Sequence, residues 1–354
     1  MLPILQPFVP HYREKFFNGI KELMPVNIYC YEVKAIVDNN FEKGDVKIIP
    51  LRKIKIGPFL FYNPFPFLKS DSQTVVLMLD MSHISTWILL LTTIFHRKKI
   101  ILWGHGISVK RYIKEEQRPS IGLKYMIKLA NGIWFYTEKE ALIWKEKFPN
   151  LKYAALNNTI SDVDEILSKA LKPKNDLKNK YNITQEIVLI FAARFNSEDR
   201  RVDLLVQTIH ALDQNRYGFI IIGDGRLKPD FSSYKNVYDF GGLYNNEIKA
   251  ELFSIADIYF QPGWVGLSIV EAMAYGKPIF TFKRSENIKQ CVEYHYIKHG
   301  TNGFTFENVD EMIEKLGAIG LEEFSLLGKQ AKNYVQKNLL LNDMVKRAVE
   351  LIQS

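Results

Sequence analysis

Short apolar runs alternate with stretches whose apolar positions recur at helical spacing, from one end of the chain to the other. In the first half the runs that read as strands are Leu2–Leu5, Val26–Cys30, Val75–Leu79, Ile100–Trp103, Ile133–Tyr136 and Tyr153–Leu156. In the second half they are Ile187–Ala192, Phe219–Ile222, Val237–Tyr238, Ile258–Phe260 and Pro278–Phe282. Helical patterns lie between them, among them His83–Phe95, Glu138–Lys147, Val202–Leu212, Asn246–Ser254 and Ser268–Tyr275. Alternation of this kind predicts an α/β protein whose parallel sheets carry helices on both faces. Two such halves predict two Rossmann-like domains, and ligands then bind beyond the carboxyl ends of the strands.

Polar punctuation sets the expected boundaries. The first domain spans 1–157, a linker region 158–181 contains Lys172-Pro-Lys-Asn-Asp, and the second domain spans 182–335. The terminal segment 336–354 reads as a helix able to return to the first domain. The longest apolar run, Ile84–Phe95, is interrupted by Ser85, Thr86, Thr92 and Thr93 and is too short to cross a bilayer. It reads as a buried helix.

Composition narrows the partners. With 47% hydrophobic and 24% charged residues the 354-residue chain is globular, and its net charge of +8 favours anionic partners. Cys30 and Cys291 lack metal-ligand spacing and read as buried thiols in a reducing compartment. The start, Met1-Leu-Pro-Ile-Leu, has no basic n-region, so a cytoplasmic location is expected, and Asn157 and Asn182 open chance sequons. Between Arg97 and Lys128 nine Lys/Arg residues face two acids, Glu115 and Glu116. Leu123, Met126, Ile127 and Ala130 share one helical face there, with Lys124 and Lys128 outward. This suggests peripheral contact with an anionic membrane surface, at the inner face of the plasma membrane.

Candidate chemistry concentrates in strand-to-helix loops. In Phe260-Gln-Pro-Gly-Trp-Val-Gly-Leu-Ser-Ile-Val-Glu271 a strand ends and a helix begins near Ser268. Gly263 and Gly266 suit a tight turn and a close backbone approach to a ligand. Amides near Leu267–Ser268 face an anion, and Glu271, one turn in, can accept from the vicinal hydroxyls of a ribose. Phe191-Ala-Ala-Arg194 and the following Arg200-Arg-Val-Asp203 place cations after another strand, where guanidinium groups suit phosphate. Either Arg200 or Arg201 can fill the second cationic role. Ile221-Ile-Gly223-Asp-Gly225 and Gly241-Gly242-Leu-Tyr244 supply turns for backbone contact. The dinucleotide spacing Gly-x-Gly-x-x-Gly is absent, which argues against NAD. In the first half, Gly104-His105-Gly106 carries a histidine on thin backbone, and the first loop offers His11-Tyr-Arg13 for a phosphate or an acceptor. Asp162-Val-Asp164 has the spacing of a metal site but lies in the expected linker, so neither a metal nor another cofactor is expected.

Glu271-Ala-Met-Ala-Tyr-Gly-Lys-Pro278 resembles the second half of the motif of glycosyltransferase family 4, retaining enzymes of the GT-B fold. The first Glu of that motif is replaced by Gly263, and the variant Pro-Gly-x-Val-Gly-Leu-Ser resembles a subgroup associated with bacterial surface polysaccharides. The resemblance is strongest from Val188 to Phe306. It implies two Rossmann-like domains facing across a cleft, and transfer from a nucleotide-diphosphate sugar to a lipid-linked or saccharide acceptor, with no nucleic acid involved. It implies donor-diphosphate contacts from Arg194 and Arg200, a ribose contact from Glu271, a nucleotide-side turn at Gly223, a base pocket at Gly242, and His105 near the transferred sugar or the acceptor. A non-catalytic partner of a transferase and a sugar-nucleotide epimerase are the rival readings.

Overall fold

Each β-branched or aromatic run named above forms a strand, because such side chains pack well on a pleated, buried surface. The computed structural model describes residues 1–32 and 46–354, and the chain divides into two units. The first contains Met1–Asp162 with Leu340–Ser354, and the second Val163–Leu339.

In the first unit the strands are β1 (Leu2–Gln6), β2 (Val26–Cys30), β3 (Ile49–Pro50), β4 (Lys53–Ile56), β5 (Phe59–Tyr62), β6 (Thr74–Met78), β7 (Lys99–Gly104), β8 (Gly132–Phe135) and β9 (Tyr153–Ala155). Seven of them make a parallel sheet in the order β3-β2-β1-β6-β7-β8-β9, and β4 and β5 pair as an antiparallel hairpin. Strand alternation separates the two faces of the sheet. Ile100 and Leu102 of β7 and Ile133 and Phe135 of β8 join Leu89, Leu90, Leu123, Met126 and Trp144 in one core. The alternate positions, Trp103 and Trp134, meet Phe16 of helix Glu14–Leu23, with ring centroids 5.4 and 6.4 Å away. The terminal helix Leu341–Gln353 packs on that same helix, with Arg347 donating to the Leu156 carbonyl at 3.2 Å.

The second unit holds β10 (Ile187–Ala192), β11 (Tyr217–Ile222), β12 (Val237–Asp239), β13 (Ile258–Phe260), β14 (Ile279–Phe282) and β15 (Gly303–Phe306). Their order is β12-β11-β10-β13-β14-β15, all pairs parallel. The chain steps outward from β10 to β12 and then returns to lay β13 on the other side of β10. Loops after β10 and β13 therefore diverge at a topological switch point, where a crevice forms in open sheets.

Three readings change. The run Ile84–Phe95 is not one buried helix: it divides into Ile84–Leu91 and Thr93–His96, and one side of it is exposed. Thr92 and Thr93 donate their hydroxyls back to the carbonyls of Ile88 and Leu90, both at 2.7 Å, which competes with regular helix bonding. No helix among the described residues is long and apolar enough to cross a membrane. Strands β3, β4, β5 and β15 were too short or too irregular in pattern to be read. The stretch 158–181 contains helices Val163–Ser168 and Lys174–Lys180, which bury Val163, Ile166 and Leu177 within the second unit.

Glu251 ties that stretch down. Its carboxylate, buried on helix Asn246–Ile255, receives Lys172 and Lys180, each at 2.6 Å, and the Tyr181 hydroxyl at 2.6 Å. These donors hold its pKa down to about 2. A depressed carboxylate contributes stability above its unfolded pKa and loses it as pH falls toward the folded value. Glu251→Gln should destabilise the second unit by about 1 kcal/mol at pH 7. Chemical denaturation should show the difference from the wild type shrinking as pH falls from about 4.5 toward 2. A difference that is constant with pH would show that the ion cluster carries no such stability.

Candidate functional site

Strand β10 ends at Ala192, and the chain passes through half-buried Arg194 into the short turn Glu198–Arg200. Strand β13 ends at Phe260 and leads into the loop 261–267. Arg200 joins the two sides of the switch point by donating from Nη1 to the Trp264 carbonyl at 2.9 Å. Burial lowers its pKa, and the positive charge of Arg194 lowers it further, against Tyr259, Cys291 and Asp199. Arg194 and Arg200 thus both belong to the segment that leaves the carboxyl end of β10. The neighbouring Arg201 is spent elsewhere. Its guanidinium grips Asp203 at 2.5 and 2.9 Å and reaches the Asn287 carbonyl at 3.3 Å. Of the two adjacent arginines, Arg200 is the one beside the loop.

The loop is held from inside by two fully buried glutamines that the sequence did not single out. Gln261 donates to the carbonyls of Gly263 (3.0 Å) and Trp264 (2.7 Å) and accepts from the hydroxyls of Tyr259 (2.7 Å) and Ser268 (2.9 Å). Gln290 accepts from the Val265 amide at 2.8 Å and donates toward the Phe282 carbonyl (2.9 Å) and Thr281 Oγ1 (3.1 Å). Trp264 has φ of 50°, a left-handed conformation that is unfavourable for a bulky residue and persists only where its surroundings fix it. The Trp264 amide is fixed by the Lys289 carbonyl at 2.7 Å.

The glycines of this loop differ in what requires them. A Cβ at Gly263 would stand 2.4 Å from the Asp199 carbonyl oxygen and 2.9 Å from Arg201 Cγ, so the turn carrying Arg200 packs directly on it. A longer side chain has no room there, which accounts physically for the missing Glu. At Gly266 the nearest atom is Cys291 Cβ at 3.9 Å, so protein packing does not demand glycine. Leu267 caps helix Ser268–Ala274 with no side-chain bond, and the Ser268 hydroxyl is committed to Gln261. Gly223 packs against the Ala193 carbonyl, beside Arg194, and its amide donates to Gly241 at 2.7 Å. The Gly242 amide is taken by Asp224 at 2.5 Å, so its position beyond β12 is set by that carboxylate.

Glu271 lies on the first turn of helix Ser268–Ala274 and forms an ion pair with Lys249 at 2.6 Å, both side chains being mostly buried. Lys249 comes from helix Asn246–Ile255, and nothing in its local sequence marks it. Burial holds the Tyr259 hydroxyl protonated above its usual range, with Arg200 and Glu271 as its charged neighbours.

A second cluster occupies the strand ends of the first unit. Arg13 follows β1 and is 8% exposed, with its guanidinium carbon 5.2 Å from the ring centroids of both Trp103 and Tyr136. Among the described residues its Nη1 is buried without a hydrogen-bond partner. His105 stacks on the other neighbour, Tyr136, at 4.3 Å and 23°. The backbone after that histidine requires Gly106: its φ is 69°, and a Cβ there would come 2.5 Å from the Phe135 ring. Trp144 Nε1 also donates to the Gly106 carbonyl at 2.7 Å. His11, half-buried, contacts Tyr12 edge to face and receives Ser161 through its carbonyl at 3.5 Å. The structure therefore gathers His105 and Arg13 through Tyr136, a residue that sequence spacing placed only as a strand end. Among the described residues no group of three or more His, Cys, Asp or Glu side chains is arranged to hold a metal.

Comparison with known proteins gives the fold a class. The chain aligns over 99% of its length with the lipopolysaccharide outer core galactosyltransferase WaaB, covering 99% of that chain at 14% identity and a TM-score of 0.68. Anabaena HepE in complex with UDP aligns over 100% of both chains at 12% identity and a TM-score of 0.66. A glycosyltransferase from Rickettsia africae aligns over 99% of this chain and 98% of its own at 18% identity and a TM-score of 0.63. The fold is that of the GT-B glycosyltransferases. Within it, residues 186–319 match the family model described as Glycosyl transferases group 1. A Haemophilus influenzae protein described as an uncharacterized glycosyltransferase is 28% identical over 230 residues, 62% of this chain and 59% of that protein. A Klebsiella pneumoniae protein described as an uncharacterized 41.2 kDa protein in cps region is 26% identical over 177 residues, 48% of this chain and 47% of its own. The match thus spans about half to three-fifths of the length of these curated relatives.

The contrast between the two loop glycines is testable without a ligand. Gly263→Ala should destabilise the protein by about 1–3 kcal/mol, because the Asp199 turn must move, whereas Gly266→Ala should melt within about 0.5 kcal/mol of the wild type. Thermal unfolding of the two variants checks this, and equal losses would show that the Gly263 contact is not limiting.

Proposed function

We propose that the protein is a retaining glycosyltransferase of the hexosyltransferase kind, moving a sugar from a nucleoside-diphosphate sugar to a hydroxyl acceptor. The observation that carries this reading is Arg200, which follows Arg194 on the segment leaving β10 and donates to the Trp264 carbonyl in the loop after β13 at 2.9 Å. Two cations on one segment past a strand end favour a multiply charged anion, and a guanidinium can meet phosphate oxygens with two parallel bonds. Structures of HepE with UDP and with UDP-glucose support a nucleotide sugar as that anion.

As the bond between sugar and diphosphate breaks, negative charge grows on the leaving phosphate oxygens. Arg194 and Arg200 stabilise it, with no resident metal or other cofactor. Amides at Gly266, Leu267 and Ser268 approach the same oxygens. Glu271, oriented by Lys249, accepts from the ribose hydroxyls, and the turns at Gly223 and Gly242 border the nucleotide. In the first unit, His105 and the aromatic-held Arg13 serve the transferred sugar or the acceptor, with His11 beside them. The acceptor is a lipid-linked glycan in surface-polysaccharide synthesis, at the cytoplasmic face of the membrane. The names of WaaB and of the Klebsiella cps-region protein support that assignment.

Arg200→Ala should weaken nucleoside-diphosphate binding by about tenfold to a hundredfold, the loss of a charged hydrogen bond, while Arg201→Ala should change it by less than about threefold. Calorimetry on the folded variants decides this, and equal effects would remove Arg200 from the donor site.

His105→Ala should lower turnover by roughly tenfold to a thousandfold and leave diphosphate affinity near the wild type, the signature of a contact that strengthens in the transition state. Release of nucleotide from a sugar-nucleotide panel, with and without saccharide acceptors, is the assay. Binding without any release or transfer in the wild type would favour a non-catalytic partner.

A further inference from the structure

A cation taken out of water loses hydration free energy, which an opposite charge or a full set of hydrogen bonds normally restores. Arg13 is buried, at 8% exposed, and among the described residues no carboxylate pairs with it and no acceptor meets its Nη1. Glu14, the acid next to it in the chain, accepts from the Val46 amide at 3.1 Å instead. What stands against the guanidinium is two rings, those of Trp103 and Tyr136, with centroids 5.2 Å from its central carbon. Ring faces offset part of the cost of burial and leave the positive charge in place.

The groups around those rings share one preference. Helix Glu14–Leu23 starts at Arg13 with no side-chain cap, so the positive end of its dipole lies at the same strand end. The segment 158–161 is tied to the neighbours of Arg13. The Asn158 amide donates to the Tyr136 carbonyl at 2.8 Å, and the Ser161 hydroxyl donates to the His11 carbonyl at 3.5 Å. Between them Thr159 is 2% exposed, and among the described residues its hydroxyl is buried without a partner. A guanidinium, a hydroxyl proton and a helix start all favour an anion.

We propose that Arg13 centres an anion subsite in the first unit, and that the acceptor is a saccharide carrying a phosphate or a carboxylate. This rests on the reading of the chain as a transferase whose acceptor is served by the first unit. Arg194 and Arg200 of the second unit are assigned to the donor diphosphate, which leaves Arg13 for the acceptor. The guanidinium charge is delocalised, so an anion that meets the exposed part of the side chain compensates the whole group. Phosphate and carboxylate both present paired oxygens to a planar fork of N–H donors. A neutral acceptor leaves the buried charge as it was, so the subsite selects by charge as well as by shape.

Calorimetric titration of the full chain with three hexose probes tests this: methyl glucoside, glucose 6-phosphate and glucuronic acid. At least one anionic probe should bind about tenfold or more tightly than the neutral one, and the tighter of the two identifies the anion the acceptor carries. Arg13→Gln should abolish that preference and change the affinity for uridine diphosphate by less than about twofold. Arg200→Ala should do the reverse, keeping the preference and weakening the nucleotide. Equal affinity for the three probes overturns the proposal. So does a preference that survives in folded Arg13→Gln, or one that Arg200→Ala removes, which would place the anion in the donor site. Uridine diphosphate binding indifferent to Arg200→Ala would sink the donor assignment alone, since the Arg13 contrast is read on different ligands. Melting temperatures verify folding. If Arg13→Gln fails to fold, Arg13→Lys keeps the charge without the planar fork and should bind the anionic probe about threefold less tightly. Undiminished affinity in that variant also overturns the subsite.

Discussion

Gln261 and Gln290, fully buried beside the end of β13, fix the course of the loop that follows. A buried amide that loses its partners costs about 1–3 kcal/mol, so each glutamine binds the backbone to one arrangement. That arrangement includes a tryptophan in a left-handed conformation, whose carbonyl receives Arg200, and a glycine on which the Arg200 turn rests. The position of the cation thus follows from neutral, interior hydrogen bonds. Replacing Gly263 by the Glu of the resembled motif would break this packing, and the lost carboxylate and the bound Arg200 turn are two sides of one geometric choice.

The first unit solves a similar problem by different means. Among the described residues its strand ends hold the Arg13 cation over two neighbouring aromatic rings, Trp103 and Tyr136, which favour a positive charge on their faces. The Tyr136 ring shares its faces between Arg13 and His105, which places an ionisable ring beside a fixed positive charge. In both units polar and aromatic side chains collect at the carboxyl edge of a parallel sheet, the edge at which ligands bind in open sheets. One edge is rich in cations and amides, and the other in rings.

The outer helices show how a hydrophobic pattern can carry two messages. Ile84–Phe95 has apolar residues enough for two sides: Leu89 and Leu90 enter the core, and Ile88, Leu91, Ile94 and Phe95 stay exposed. The count of apolar residues was visible in the chain, but which of them would be left outside depended on the neighbouring helix Ile121–Leu129 and on the bend at Thr92.

The sequence by itself determined the alternating strands and helices, the two parallel sheets, the loops in which Arg194, Arg200 and His105 would fall, and the helix start that carries Glu271. Those features are local: periodicity, glycine punctuation and strand-to-helix order are written within a few residues of each site. What tertiary structure decided is non-local. Gln290 reaches Val265 across 25 residues, Arg200 reaches Trp264 across 64, and Arg13 meets Tyr136 only when β1 and β8 end at the same edge. Lys249 found Glu271 through the packing of two helices, and Arg201 was withdrawn from the site by Asp203. A side chain's partners depend on which chain segments the sheet order brings together, and that order is fixed by burying the whole core rather than by any short stretch of residues.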